Sequence, residues 1–525
     1  MNRIFILLCA AFSLTAHSQN WHWAAGTGST SFARADAIAT DAGGHSFTTG
    51  QFNDSTWFGS HLLVESGAWN GNMFLAKYSS SGTCLWAKKD STLLDGMKMG
   101  MDAACNIYIA GYRPGLYSLS KWDSSGTRLW NVTLPVNITI SDLVTDQNGN
   151  CWLSGRQLTG QSVFGSDTLR DSTGIIVRYD MNGAALGAIP LGLHGKIDPL
   201  FLELDANGNY VVAASLSGTD TLDGQPLAFD GATLMVFKIS STGNLQWFIA
   251  GEAPAPGSAF SGPFGLCLDQ QNNCYVTASF VTQYSVFGND TVFIHPSGRT
   301  SAVIKIDAGG TLQWITEPSY TGTGAIYFLD ITSDQNGVYF VGYAEENFTL
   351  GTVPVTSTTG AYRLGFAIAL DFNGSTQHEV HSEGFNSIVQ PRAIAVNTTG
   401  DLWFAGMYRN GATLGPFTLP PTAPSVDEAF VAKLQSVSID VNGPAASSTV
   451  SLINGEANTF RLQVDEPTAQ QQSRFVLYDL SGQLVKIVDI SSTQTMIDCS
   501  DLAPGVYAWS VENSSTRIGA GKIMK

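Results

Sequence analysis

Along most of the chain, short runs of alternating apolar and β-branched residues are separated by turns rich in Asp, Asn, Ser and Gly. That period of two predicts strands, and the Asn-Gly and Gly-Gly turns between them predict hairpins, because these residues tolerate φ > 0. The pattern also repeats. A turn leading into an apolar strand occurs as Asp41-Ala-Gly-Gly-His-Ser-Phe-Thr-Thr-Gly50 and as Asp146-Gln-Asn-Gly-Asn-Cys-Trp-Leu-Ser-Gly155. Further copies of this anchor start at Asp102, Asp205, Asp269, Asp334 and Asn397, which makes seven. A second element follows: a cation, then Gly, then Trp nine positions after the cation. Examples are Lys77, Gly82 and Trp86; Lys121, Gly126 and Trp130; Lys238, Gly243 and Trp247; Lys305, Gly310 and Trp314. Arg178 with Gly187 and Ala369 with His378 are degenerate copies. This element reads as another hairpin. Between the two lies a Gly landmark at Gly59, Gly165, Gly224, Gly288, Gly351 and Gly415, absent from the shorter repeat that starts at Asp102.

Two hairpins per repeat give four strands, and a four-stranded unit recurring in tandem is the unit of a β-propeller. The expected fold is all-β: a seven-bladed β-propeller over residues 19–436, followed by a small C-terminal β-sandwich. Closure into a ring removes exposed sheet edges, whereas a β-solenoid has shorter coils. The last repeat stops after Lys433 without a Trp-bearing strand. Trp21-His22-Trp23 near the start of the chain matches that missing strand, so the N-terminal strand is expected to complete the last blade. After Ser436 the phase is lost. Residues 437–455 read as a linker, and 456–525 as the sandwich, with strands around Ser-Gly and Pro-Gly turns.

Composition agrees with this. There are 55 Gly in 525 residues and only 13% charged residues, which excludes a coiled coil, while 44% hydrophobic residues exclude a mainly disordered chain. The formal charge of −17 disfavours nucleic acid, whose binding rests on Lys and Arg at phosphates. The N-terminus carries Arg3, an apolar run from Ile4 to Leu14, and small residues at Ala16 and Ser18. It reads as a signal peptide over 1–18, cleaved between Ser18 and Gln19. No stretch is long and apolar enough to predict a membrane-spanning helix. Six cysteines follow that site, of which Cys267 and Cys274 flank one turn and form the local pair to test for a disulfide; the others read as free and buried.

With these residues in view, the repeats resemble the seven-bladed propeller repeats of bacterial secreted proteins. Those repeats share a fold and no common activity. The tail resembles the type A C-terminal sorting domain of Bacteroidetes type IX secretion substrates. The matching residues are Tyr478, Asp479, Leu480 and Gly482, then Leu502, Pro504, Gly505 and Tyr507, and the basic end at Lys522. No Asn-Pro motif opens the domain near 445–455. The resemblance implies export to the periplasm, recognition by the type IX secretion machinery, and a secreted or cell-surface destination.

Candidate chemistry is sparse. The sequence has no Gly-x-Ser-x-Gly elbow, no phosphate-binding loop and no His-Glu-x-x-His pair. His378 and His381 are three apart on an expected strand, which points them to opposite faces. Asp146-x-Asn148-x-Asn150 looks like the start of a calcium loop, but position 12 from Asp146 is Gln157 rather than Glu, so a structural turn is preferred to calcium. No other cofactor is expected. The repeated cations are expected to pair with acidic turns, and the repeated Trp residues to fill the spaces between blades. The expected function is a scaffold or binding protein with an extracellular glycan or protein ligand, and not an enzyme. The other reading is a polysaccharide-acting hydrolase or lyase, betrayed by paired carboxylates in the ring.

Overall fold

The computed structural model describes residues 17–65, 71–252, 262–281, 284–287, 290–293, 299–320, 322–423, 425–438, 450–454, 459–464, 473–478, 484–490, 492–502, 506–512 and 517–524. Every regular element among them is a strand. The chain separates into two compact units, Gln19–Gln435 and one that includes Ser436–Lys525.

In the first unit, four antiparallel strands pair seven times in succession. The first strands of these sheets are Phe32–Thr40, Asp95–Met101, Ile138–Thr145, Ile197–Leu204, Gly262–Leu268, Ile326–Ser333 and Ile388–Val396. Each packs against the first strand of the next sheet, and the seventh packs against the first, so the order is cyclic. The seventh sheet takes its fourth strand, His17–Gly26, from the opposite end of the unit, beside Glu428–Ser438. This is a β-propeller, built from the anchor turn (first to second strand) and the Lys-Gly-Trp hairpin (third to fourth).

Second and third strands such as Asn72–Tyr78, Cys274–Phe280 and Leu364–Leu370 are buried almost throughout. A sheet face on each side explains why they read as continuous apolar runs. Seven buried clusters lie between neighbouring sheets, including one between the seventh and the first that holds Trp23, Phe74 and Trp403. Each fully buried Phe contributes about 1.5–3 kcal/mol.

The repeated Trp is the device that joins sheet to sheet. Trp247 Nε1 donates to the Ala308 carbonyl at 3.1 Å and Trp314 Nε1 to the Phe372 carbonyl at 3.2 Å, each in the turn between the third and fourth strands of the following sheet. The indole lies over the Gly of that turn: a Cβ on Gly310 would come within 2.6 Å of Trp247. Trp23 makes the same bond to the Ser80 carbonyl, 2.9 Å, and covers Gly82, so the ring is closed by the contact used elsewhere around it.

The Gly landmark turns out to mark a third hairpin, which the count of two hairpins per repeat omits. Gly59, Gly165, Gly351 and Gly415 all have φ between 57° and 60° and sit at the tips of short ribbons such as Ser55–Phe58 with His61–Val64 and Phe348–Leu350 with Val353–Val355. Several ribbons pair with the chain that enters from the preceding sheet, as Ala412–Leu414 does with Ser382 and Glu383. They cover backbone that would otherwise be an open edge. In the second sheet the ribbon is replaced by a tight turn at Pro114-Gly115.

The second unit holds a three-stranded sheet (Val450–Asn454, Thr459–Val464, Gln494–Asp498) and a four-stranded one (Leu484–Asp489, Arg474–Tyr478, Val506–Glu512, Arg517–Met524). They share one core containing Phe460, Leu462, Phe475, Leu477, Tyr507 and Trp509. Strand Val450–Asn454 lies within the range read as a linker; it is the first strand of a hairpin with Thr459–Val464, Asn454 standing opposite Phe460.

Candidate functional site

Every first strand of the ring carries one β-bulge at a corresponding position, for example between Ala35 and Ala37 and between Phe328 and Asp330. The anchor supplies the reason. Its last residue is often Gly, at Gly50, Gly155, Gly342 and Gly406, and a Cβ there would collide with the carbonyl of the bulging strand. A bulge re-aims side chains, and here it turns them toward the axis. Asp36, Lys98, Asp142, Glu203, Asp330 and Arg392, with Phe201 and Cys267, line a cavity of about 220 Å³.

The polar groups in it, and Arg34 and Asp95 bonded beside it, are ordered. Arg392 Nε lies 2.7 Å from Asp36, which also meets Arg34 at 2.8 Å; Arg34 reaches Asp95 at 2.9 Å. Lys98 sits 3.5 Å from Asp142 and 4.6 Å from the centre of the Phe201 ring. Asp142 accepts from Leu202 N at 3.0 Å and Asp330 from Ile394 N at 2.9 Å, so each carboxylate also holds the following sheet. Burial, then the charges of Asp142 and Asp330, push the Glu203 carboxyl up to about 8. Burial raises Asp330 to about 6, against the attraction of Lys98, and burial with Asp36 raises Asp95 to about 7 despite Arg34. Burial, reinforced by Glu203, also holds the Cys267 thiol well above its usual range.

None of these channel residues was identified from sequence as a site. A usable signal was present: Asp36, Lys98, Asp142, Asp330 and Arg392 stand four or five positions before an anchor, where an inner strand would otherwise be apolar.

The residues weighed for other chemistry have structural roles. Asp146 Oδ1 accepts from the backbone of Asn148 and Asn150 at 2.9 and 2.8 Å, and its Oδ2 from the Asn150 side chain, so both oxygens serve the turn. Asp205 and Asp269 do the same. Three of the repeated cations are buried and paired with the acidic turn: Lys238 with Asp205 at 2.8 Å, Lys433 with Asp401 at 2.9 Å, Lys121 with Asp102 at 3.4 Å. Lys77 and Lys305 are half-buried and donate instead to the carbonyls of Ser124 and Phe372, at 3.4 and 2.8 Å. Lys433 also lies over the Trp403 ring at 4.6 Å. Cys267 and Cys274 are free. Cys267 is opposite Tyr275, and Cys274 opposite Leu268, so the two thiols emerge on opposite faces and enter different cores. His381 is held by Glu379 at 2.9 Å and Glu383 at 3.4 Å, and the bond to Glu379 raises its pKa.

Of the sorting-motif residues, Tyr507 is buried, Leu502 packs on the same core, and Tyr478 ends its strand half-buried. Lys522 lies in the last strand opposite Ala508. Asp479, Leu480, Gly482, Pro504 and Gly505 lie outside the described residues. Ser18 and Gln19 lie in the strand His17–Gly26.

Residues 454–525 match the secretion system C-terminal sorting domain family, which supports a type IX sorting tail. No curated protein matches the chain. Among solved structures, the chain is similar to the Dos1 propeller at 8% identity, with 79% of this chain and 95% of that one covered and a TM-score of 0.40. The Pan2 WD40 domain of Neurospora crassa follows at 9% identity, 76% and 88% coverage, and a TM-score of 0.38. A virginiamycin B lyase from Staphylococcus aureus is similar at 14% identity, 70% and 90% coverage, and a TM-score of 0.34. The expectation that the chain is not an enzyme therefore does not stand: an enzyme is among the similar structures. At such identity the likeness assigns no activity to this chain.

Proposed function

We propose that this chain is an exported, seven-bladed propeller that acts as a scaffold or binding protein outside the cell. Residues 1–18 are removed after Ser18 on export, the ring occupies 19–436, and the sandwich-like domain after the linker is read by the type IX secretion machinery. Delivery is to the medium or the cell surface, by way of the periplasm. The observation that carries this reading is the sorting-domain match at residues 454–525, C-terminal to a closed ring of sheets.

The two faces of the ring support a binding role. One carries the anchor and Lys-Gly-Trp turns, whose polar groups are engaged with their own backbone and neighbours. The other carries the connections that vary between repeats, and loops on a rigid scaffold are where recognition is usually built. An extracellular glycan or protein is the expected ligand class. The experiment is deletion of residues 440–525 in the native host: the truncated chain is expected to accumulate in the periplasm. Its unchanged appearance outside the cell would refute the sorting role.

A further inference from the structure

On the variable-loop face, the sixth sheet carries an aromatic and cationic ladder. Tyr327 and Tyr343 are cross-strand partners at the end remote from the Asp334 turn, stacked with centroids 4.6 Å apart and planes at 24°. Arg299 lies over Tyr327 at 5.2 Å and Arg363 over Tyr343 at 5.1 Å. The two arginines precede the third strands of successive sheets, Thr300–Ile306 and Leu364–Leu370. Arg363 is neutralised by Glu345 at 3.1 Å and also lies 6.0 Å from the ring of Tyr362. Tyr362 is 60% exposed, and Phe385, on the adjoining loop, is 77% exposed.

These exposed rings stand on fixed backbone. Tyr362 N and Arg363 N both donate to the Ser387 carbonyl, at 2.9 and 3.0 Å, and Asn386 N donates to the Gly360 carbonyl. Glu383 accepts from Ser357 Oγ and from the backbone of Thr358 and Thr359. Those bonds overcome the effect of burial and bring its carboxyl down to about 2. Large aromatic faces left in water on anchored loops mark a recognition surface, because the backbone that carries them needs little further ordering on binding.

We infer that Tyr362 and Phe385, with the Arg363–Glu345 pair beside Tyr362, form a subsite for a neutral pyranose polysaccharide; this rests on the binding role proposed above. A pyranose ring offers an apolar C–H face to each aromatic ring and hydroxyls to the half-exposed carboxylate and guanidinium. The local charge pair is balanced, and the chain's −17 charge opposes acidic polymers. Both favour a neutral sugar.

The test is affinity electrophoresis of the full-length protein in gels containing neutral glucans, xylans or mannans, with heparin as the acidic comparison. At least one neutral polysaccharide is expected to retard the wild type. Phe385→Ala combined with Tyr362→Ala should weaken that retardation by about tenfold or more, with an unchanged thermal midpoint because both side chains are exposed. Trp57→Ala, at an exposed aromatic on a different ribbon, should leave it intact. No retardation by any neutral glycan, retardation by heparin alone, or a double variant that binds like wild type would each overturn the subsite. If Trp57→Ala instead abolishes binding, the subsite is wrong while the loop-face reading survives.

Discussion

Single glycines show how local conformation and packing combine in this ring. Gly208 has φ of +76° with nothing near its missing Cβ, whereas Gly310 has φ of +89° and lies against Trp247. An L-residue in the left-handed region costs about 1–2 kcal/mol, and forcing atoms into a packed contact costs a further 1–3 kcal/mol or so. Gly310→Ala is therefore expected to lower the denaturation midpoint clearly more than Gly208→Ala, and equal losses in denaturant titrations would refute the packing role. Both glycines are visible in the sequence as turn residues. That only one of them receives an indole depends on the neighbouring sheet.

At the scale of elements, the N-terminal strand is the component whose loss opens the ring. Trp23 is buried, stacks with Tyr78 at 6.1 Å and bonds to Ser80. Trp23→Ala is expected to cost about 3–5 kcal/mol, while Trp23→Phe keeps the packing and loses about 1 kcal/mol with the hydrogen bond. Urea unfolding of the two variants measures the difference. The likeness of Trp21-His22-Trp23 to the other Trp-bearing strands was legible because it repeats a pattern. The ribbon hairpins were legible only as isolated glycines, since strands of three or four residues carry too little periodicity to register.

For the whole molecule, the channel couples the sheets electrostatically and sets the pH response. Glu203, Asp330 and Asp95 have carboxyls raised to about 8, 6 and 7. A carboxyl raised by folding keeps its proton in the native state after the unfolded chain has lost it, so stability falls as pH rises from about 4 to about 8. Glu383, held near 2, acts the other way, and its contribution is lost on acidification below about pH 4. Greatest stability is therefore expected at mildly acid pH. Glu203→Gln should flatten the decline between pH 5 and pH 8 and stabilise the protein at pH 8. A variant with the same pH profile as wild type, followed by circular dichroism, would show that Glu203 is not the coupled group.

The amino-acid sequence by itself determined the all-β class, the repeat and the type of its turns, because strand periodicity and turn chemistry are local and reappear in each copy. It also carried the sorting-tail resemblance, which rests on contiguous residues. The tertiary structure alone decided what shares the axis of the ring. Asp36, Lys98, Asp142, Glu203, Asp330 and Arg392 come from six different repeats and converge because successive first strands pack into a closed cycle and bulge in register. It likewise separated Cys267 from Cys274, seven residues apart, by placing them on opposite faces of one strand pair. Convergence and facing are properties of how strands are arranged in space, and no local pattern encodes them.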